Sequence, residues 1–230
     1  PELKDAKIVD TNTFYPGDRD STEKHRETIA YNGWTFCPVD IMDEEGTAML
    51  PVAGAKWIPE ISVGSHMLNY DSMFVLTHFK GHVMGGFGGS NKNIGIGCAD
   101  GRIGKGMIHA KNGNDWGVVE EELMEKITES TKATIDHFGE HVVYVNVMRN
   151  MSVSCDCEGC LAEQVVTPNV GILASTDPLA IDQAAIDLVY AMPDSGSLIE
   201  RIESRNGVHT IEAAADLGFG SREYELIEIQ

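Results

Sequence analysis

The chain has 230 residues, of which 42% are hydrophobic and 23% are charged. These values are typical of a globular protein and exclude disordered, collagen-like and coiled-coil chains. Asp and Glu number 36 against 17 Lys and Arg, so the net charge is −19 at pH 7. A surface this acidic repels the phosphate backbones of nucleic acids, and we expect neither nucleic acid nor an anionic membrane as a partner. No apolar run approaches the ~20 residues that a membrane span needs.

Strand and helix patterns alternate through the first half of the chain. The order is a strand at 7–10, a loop at 11–17, a helix from Ser21 or Thr22 to Asn32, strands and turns over 35–70, and a strand at 72–77. The continuous apolar run at 72–77 predicts a strand buried on both faces of a parallel or mixed sheet. Because the chain begins directly before its first strand, we also expect that it lacks an upstream segment.

The second half continues the alternation. Its predicted elements are a helix at 118–138, a strand at 141–147, a buried strand at 170–174, a helix capped near Asp177 and ending at Ala191, helices at 197–205 and 209–217, and a strand at 223–229. The pattern predicts an α/β fold in one domain, residues 1–230, with a mixed or mostly parallel sheet flanked by helices. We expect the functional site in loops at the carboxyl ends of strands.

Three of the five cysteines lie together, in the sequence Cys155-Asp-Cys157-Glu-Gly-Cys160. An odd number of closely spaced cysteines is typical of cytosolic thiols and predicts a cytoplasmic protein with a ligand cluster. Thiolates bind soft or borderline metals, so the segment is predicted to hold iron, zinc or an iron-sulfur cluster. The predicted candidates for a further ligand are Cys98, His82, His109 and water. The alternatives are reduced cysteines without a metal, or a redox dithiol.

Ten glycines lie between Lys80 and Gly106, after the strand at 72–77. Glycines allow backbone amides to approach an anion, and lysines add positive charge to an otherwise acidic protein. The predicted ligand-binding residues are Lys80, His82, Gly86, Gly88, Gly89, Lys92 and Asn93. Neither a phosphate-binding loop of the G-x4-G-K-[ST] type nor a clean dinucleotide fingerprint is present. The alternative is a structural loop whose lysines are only solvated.

Several motifs resemble one family in their order along the chain. They are Asp10–Thr13, Thr77–His82, Gly86–Gly89, Lys92–Gly95, Gly104-Lys105 with His109, Cys155–Cys157, Gly171–Ser175, Asp177-Pro178, Asp182-Gln183 and Gly220–Glu228. The chain resembles the uncharacterised Fe-S centre protein family, known as domain of unknown function 362. That family has no established activity, and its members often carry a ferredoxin-type domain and an upstream α/β segment.

This sequence differs from the family pattern, because no ferredoxin insert follows His109. An iron-sulfur cluster would then depend on Cys155, Cys157 and Cys160, and a position like Cys160 that also accepts His favours a mononuclear metal.

The sequence therefore predicts a metal-binding protein with a site for a small anionic ligand, in which a redox role would involve a partner protein. The alternatives are a non-catalytic, metal-stabilised binding module and a metal-free enzyme that uses Lys80 or His82.

Overall fold

The computed structural model of the chain describes residues 5–154 and 164–229 and has the expected α/β fold. The strands are β1 (Ile8–Asp10), β2 (Val39–Ile41), β3 (Thr47–Pro51), β4 (Glu60–Gly64), β5 (Met73–His78), β6 (Lys80–His82), β7 (Gly86–Gly88), β8 (Val142–Met148) and β9 (Gly171–Ser175). The helices are α1 (Thr22–Tyr31), α2 (Ser90–Gly97), α3 (Gly104–His109), α4 (Glu120–Phe138), α5 (Pro178–Ala191), α6 (Gly196–Ser204) and α7 (His209–Asp216), with a 3-10 helix at Ser65–Asn69.

The strands form small sheets, where one larger sheet was expected. The largest described sheet has the order β5-β8-β9, with β5 parallel to β8 and β8 antiparallel to β9. The other pairs are parallel β1 and β2, antiparallel β3 and β4, and antiparallel β6 and β7. The prediction of mixed strand directions is confirmed, but the strands are too short and too separate to form one continuous sheet.

Strands β5 and β9 are not buried on both faces, so that part of the prediction is wrong. Along β5, Val75 and Thr77 are buried whereas Phe74 and Leu76 are exposed. Strand β9 shows the same alternation. Helices α2 and α5 pack on one side of this sheet, and no described helix covers the other side. The continuous apolar run of β5 therefore gives it two apolar faces, and helices of the described chain cover only one of them.

Helix α4 holds α2 in place through buried hydroxyl groups. Ser130 Oγ donates to the carbonyl oxygen of Gly95 at 2.7 Å, and Thr131 Oγ1 donates to that of Asn91 at 2.7 Å. A side chain on Gly95 would collide with Ile127, so glycine is needed where the two helices approach. This contact fixes the position of α2, which carries Lys92 and Asn93.

A buried carboxylate joins α5 to the start of α2. Asp182 accepts hydrogen bonds from the amides of Ser90 (2.8 Å) and Asn91 (2.9 Å) and from Asn146 Nδ2 of β8 (2.8 Å). Burial raises the pKa of Asp182, while these three donors act in the opposite direction. The adjacent Gly89 has no room for a side chain, because a Cβ there would collide with this carboxylate. Asp182 thus connects three elements at one point.

The C-terminal elements agree with the sequence except at the very end. Helix α5 has the predicted bounds, and Asp177 caps it by accepting from the amides of Leu179 and Ala180 at 2.8 Å. Residues 221–229 form no strand, contrary to the prediction. Tyr224 Oη instead donates to Asp187 on α5 at 2.8 Å, so side-chain contacts hold this segment without a backbone ladder.

We predict that Asp182→Asn lowers the free energy of unfolding by about 2 to 4 kcal/mol, because the amide cannot accept from all three buried donors. Urea unfolding followed by circular dichroism measures this loss. The matched control is Asp187→Asn, an exposed acid on the same helix, for which we expect a much smaller change. Equal losses in the two variants would contradict the structural role of Asp182.

Candidate functional site

The β6-β7 hairpin brings together three of the residues expected to bind a ligand. Lys80 and His82 are two positions apart on β6, so their side chains leave the strand on the same face. Lys80 pairs with Gly88 across the hairpin. A Cβ on Gly88 would lie 3.7 Å from Lys92 Cδ, which places the Lys92 side chain over the same end. Lys80, His82 and Lys92 therefore converge. Arg201 and His109 also lie near the His82 ring, and we call these five residues the cationic cluster.

The backbone around His82 sets the protonation state of its ring. Its Nδ1 accepts from the amides of Gly85 (3.0 Å) and Met84 (3.3 Å). Burial lowers the pKa of His82 well below its usual value, and the charges of Lys92 and Lys80 lower it further. The ring is therefore neutral at pH 7, with its proton on Nε2. In this form His82 offers a hydrogen-bond donor to a ligand, and its Nδ1 is not available to a metal.

His109, the last residue of α3, lies in the same region. It is 8% exposed, and burial together with the charge of Lys92 lowers its pKa to about 4. Its ring is 4.8 Å from the ring of Trp116 and stacks on Phe14 at 6.4 Å, measured between centroids. Its Nδ1 is buried and has no hydrogen-bond partner among the described residues. A neutral imidazole with an unused buried nitrogen has the properties of a metal ligand or a substrate-binding group.

The three clustered cysteines, Cys155, Cys157 and Cys160, lie outside the described residues. The chain that leads into them is described, however, and it lies against β6. The amide of Gly81 donates to the carbonyl oxygen of Ser152 at 2.7 Å, and a side chain on Gly81 would collide with Val153. Ser154 is buried directly before the first cysteine. The described chain before the cysteines, at Ser152, therefore lies beside the strand that carries Lys80 and His82.

Strand directions explain this convergence. Strands β5 and β8 are parallel neighbours, so their carboxyl ends lie at the same edge of the sheet. Strand β6 follows β5 directly, and the segment with Ser152 and Ser154 follows β8. Strand β6 and the segment with Ser152 are about 70 positions apart in the chain and lie together because of this parallel pairing.

Cys98 was predicted as a further metal ligand, and it lies in the hydrophobic core at the C-terminal end of α2. Burial raises the pKa of its thiol to about 12, so the thiol is protonated. The eight residues of α2 span about 12 Å, which separates Cys98 from the hairpin at the other end of the helix. We therefore leave Cys98 out of the ligand set that we propose below.

The glycine-rich loop is arranged differently from the expected anion cradle. The amides of Ser90 and Asn91, which begin α2, bind Asp182, so the protein's own carboxylate occupies that helix end. Gly86 packs closely against Gly207. Asn93 Nδ2 donates to Thr77 Oγ1 at 2.9 Å and attaches α2 to β5. The side chains of the cationic cluster thus remain the main groups that a ligand would contact.

Arg201 on α6 was not identified from the sequence. Helix α6 packs on β6 and β7, and the Arg201 charge contributes to the lowered pKa of His82. Its Nη1 is buried and has no hydrogen-bond partner among the described residues. No sequence signal marks Arg201, because α6 has the pattern of an ordinary amphipathic helix. Arg201 is also 119 positions away from His82 in the chain.

Lys105 was noted only as part of a positive segment, and the structure shows a specific contact. Its Nζ donates to Thr11 Oγ1 at 2.8 Å and to the carbonyl oxygens of Thr11 and Asn12. Burial lowers its pKa, although the nearby Asp10 carboxylate acts in the opposite direction. Lys105 therefore anchors the polar loop after β1 and is held by that loop.

A second group with ligand-like atoms involves Asp40, Glu44 and His66, whose candidate atoms all lie within 4.8 Å of one another. These atoms already have partners. His66 Nδ1 lies 2.8 Å from Asp40 Oδ1, and the Arg26 guanidinium holds Glu44 at 2.9 Å. We interpret this group as an internal ion-pair network, and it lies on β2 and the 3-10 helix, away from the β6-β7 hairpin.

The fold and site define a class: an α/β protein with a group of lysine, arginine and histidine side chains around a strand hairpin. Residues 3–187 match the family described as "Domain of unknown function (DUF362)". This match spans more than half of the chain, so the protein belongs to that family. The resemblance noted from the motifs is confirmed at this level, whereas the iron-sulfur centre and the ferredoxin distinction stay predictions.

Other comparisons add little. No curated protein matches the chain. The structure is similar to that of the lactate racemase apoprotein from Thermoanaerobacterium thermosaccharolyticum, with a TM-score of 0.48 and 14% sequence identity. This similarity covers 80% of the present chain and 40% of the racemase, so the chain corresponds to less than half of that longer protein. None of the helices in the described ranges has the length and apolar character needed to cross a membrane.

The His66 network yields a prediction for stability against pH. The hydrogen bond to Asp40 and the contact with Glu45 raise the pKa of His66 above 6.5. The resulting stabilisation is fully present below pH 6.5 and is lost as the pH rises through the raised pKa. We predict that His66→Gln costs about 1 to 2 kcal/mol at pH 6 and much less at pH 9.

Urea unfolding at both pH values measures this difference. His137→Gln is the matched control, since His137 is exposed on α4, and we expect it to cost little at either pH. A cost of His66→Gln that stays constant between pH 6 and pH 9 would contradict the ion-pair interpretation.

Proposed function

We propose that the protein binds a small anion, such as a carboxylate or a phosphate, at the cationic cluster next to a metal held by Cys155, Cys157 and Cys160. One observation carries the proposal: the backbone hydrogen bond between Gly81 and Ser152, which fixes the chain before the cysteines against the strand of Lys80 and His82. A single site with an anion next to a metal would use both the lysine and histidine motif and the cysteine motif of the sequence.

Charge supports the anion. The protein has 17 basic residues against 36 acidic ones, and three of the basic residues, Lys80, Lys92 and Arg201, lie around His82. Concentrated positive charge in an acidic protein attracts and orients a small anion. Lys80 and Lys92 already take part in interactions within the chain, so an anion would share or replace those contacts. The neutral His82 adds an Nε2–H donor to the same group.

The donor set fits a soft or borderline metal. Three thiolates in a short segment match the preferences of zinc and iron, and His109 has a buried, unused Nδ1 on a neutral ring. We therefore assign the metal to the three cysteines, with His109 as the added ligand. When bound, such a metal supplies Lewis acidity, or electron transfer if it is iron. Thiolate ligands are best preserved in a reducing compartment, which favours the cytoplasm.

Two alternatives predict different behaviour. In a non-catalytic, metal-stabilised module, the metal orders the cysteine segment, and removing it would unfold that part of the chain. In a metal-free enzyme, Lys80 and His82 carry out acid-base chemistry, and the neutral state of His82 with a fixed tautomer favours this second candidate. In this case the cysteines would be dispensable.

We predict that Lys92→Met weakens the binding of inorganic phosphate or oxalate by at least about tenfold, because one charge-assisted contact is lost. Isothermal titration calorimetry measures the dissociation constant. Lys24→Met is the matched control, since Lys24 lies on α1 and pairs with Asp20 at 2.8 Å. An equal loss in the two variants, or no binding of either anion by the unmodified protein, would overturn the anion site.

A second prediction concerns the metal. Protein purified without oxygen or chelator should contain zinc or iron close to one equivalent, and Cys157→Ser should lose most of it. Elemental analysis gives the metal content, and visible absorption distinguishes iron thiolates from colourless zinc. The control is Cys37→Ser, because Cys37 donates to the Ala6 carbonyl on the other side of β1.

Equal metal content in Cys157→Ser and the unmodified protein would overturn the metal assignment. The double variant Cys155→Ser with Cys157→Ser tests whether the two sites are joined. If it binds phosphate with an unchanged dissociation constant, the anion and metal sites are independent.

A further inference from the structure

One face of the β5-β8-β9 sheet is apolar and uncovered. Strand register places its side chains in adjacent rows: Phe74 pairs with Val143, Leu76 with Val145, Val145 with Ala174, and Val147 with Ile172. Because paired residues project to the same side, these residues share one surface. We call it the open face, formed by Phe74, Leu76, Val143, Val145, Val147, Ile172 and Ala174.

The two sides of this sheet differ sharply in burial. On the inner side, Val75, Tyr144 and Met148 are buried against the core. On the open face, Phe74 is 61% and Ile172 is 65% exposed. Leu76 and Val143, which lie between them, are 49% and 42% exposed. Helices α2 and α5 account for the inner side, and no described helix or strand packs on the open face.

We propose that the open face is the interface of a homodimer, in which it packs against the same face of a second copy of this chain. The seven side chains expose roughly 500 Å² of apolar surface, so two faces in contact would bury about 1,000 Å², the lower end of the range for specific interfaces. Flat apolar sheets pack well on each other at about 10 Å, with strands rotated by about 30°.

The chemistry of the face favours a second copy over another protein. All seven side chains are apolar, and His78, which pairs with Val147, is the polar residue of these rows; a mainly apolar composition is typical of homodimer interfaces and not of transient complexes. Its neighbour His78, at the end of β5, bonds the Arg149 carbonyl at 2.9 Å and marks the edge of the apolar area. A face of this kind pairs with itself without needing charge complementarity, as an isologous dimer requires.

Net charge makes the proposal specific. Two copies that each carry −19 repel one another, and salt screens that repulsion while leaving apolar contact in place. A homodimer through the open face should therefore become tighter as ionic strength rises. A complex held by opposite charges would become weaker under the same change. Salt dependence thus separates apolar self-association from binding to a basic partner.

The test is sedimentation velocity of the full chain from low micromolar to near-millimolar concentration, at low and high salt. We expect a monomer-dimer equilibrium that shifts toward dimer with salt. Phe74→Glu and Ile172→Glu should each shift the sedimenting species to monomer. Tyr31→Glu is the matched control, because Tyr31 on α1 is 91% exposed and lies outside the open face. The milder Ile172→Thr should weaken the dimer and serves if a charged variant fails to fold.

Folding of each variant is checked by circular dichroism and urea unfolding. A monomer at every concentration and salt level would overturn the proposal. So would a dimer that persists in Ile172→Glu and Phe74→Glu, a dimer disrupted equally by Tyr31→Glu, or a dimer that salt dissociates. The proposal does not depend on the anion or the metal, so its failure leaves the proposed function untouched.

Discussion

The buried carboxylate of Asp182 is the contact on which the site depends. It accepts hydrogen bonds from the first amides of α2 and from the side-chain amide of Asn146, so it links α5, α2 and β8 at a buried position. A helix start offers unpaired amides and a partial positive charge, and a buried carboxylate satisfies both. This contact, together with the hydroxyl contacts from α4, sets the direction of α2 and hence the place where Lys92 emerges. The glycine that precedes the helix is required by the same carboxylate.

Because the Asp182 carboxylate already binds the amides at the start of α2, side chains and not these amides are the groups that would bind a ligand. With the amides engaged, positive charge at the hairpin comes from side chains on β6, α2 and α6. Those charges and burial together keep His82 and His109 neutral, because protonating either would add a further positive charge to a group with little water around it. The cluster thus holds cations that attract an anion and neutral imidazoles that donate to it or bind a metal.

Local patterns in the sequence predicted much of the fold but less of the site. The α5 bounds and the Asp177 cap follow from a capping acid, a proline in the first turn and apolar periodicity, all within a few residues. The contact of β6 with the segment at Ser152 depends on which strands become parallel neighbours, and no local pattern encodes that. Arg201 was missed for the same reason. The contact between Asp182 and the amide of Ser90 joins residues more than 90 positions apart, so the sequence did not indicate that this helix start is occupied.

The open face of the β5-β8-β9 sheet shows that apolar residues in a sequence do not by themselves predict burial. The four apolar residues at 73–76 give β5 apolar side chains on both faces, but they do not indicate what covers each face. Within the described chain only one face is covered, so the second must find its partner outside the helices that follow these strands. The groups that we propose to bind an anion lie at the carboxyl edge of the sheet, whereas the open face is on the flat side of the sheet. Self-association through the face would therefore leave Lys80, His82 and Lys92 outside the interface, and the two properties can evolve and be tested separately.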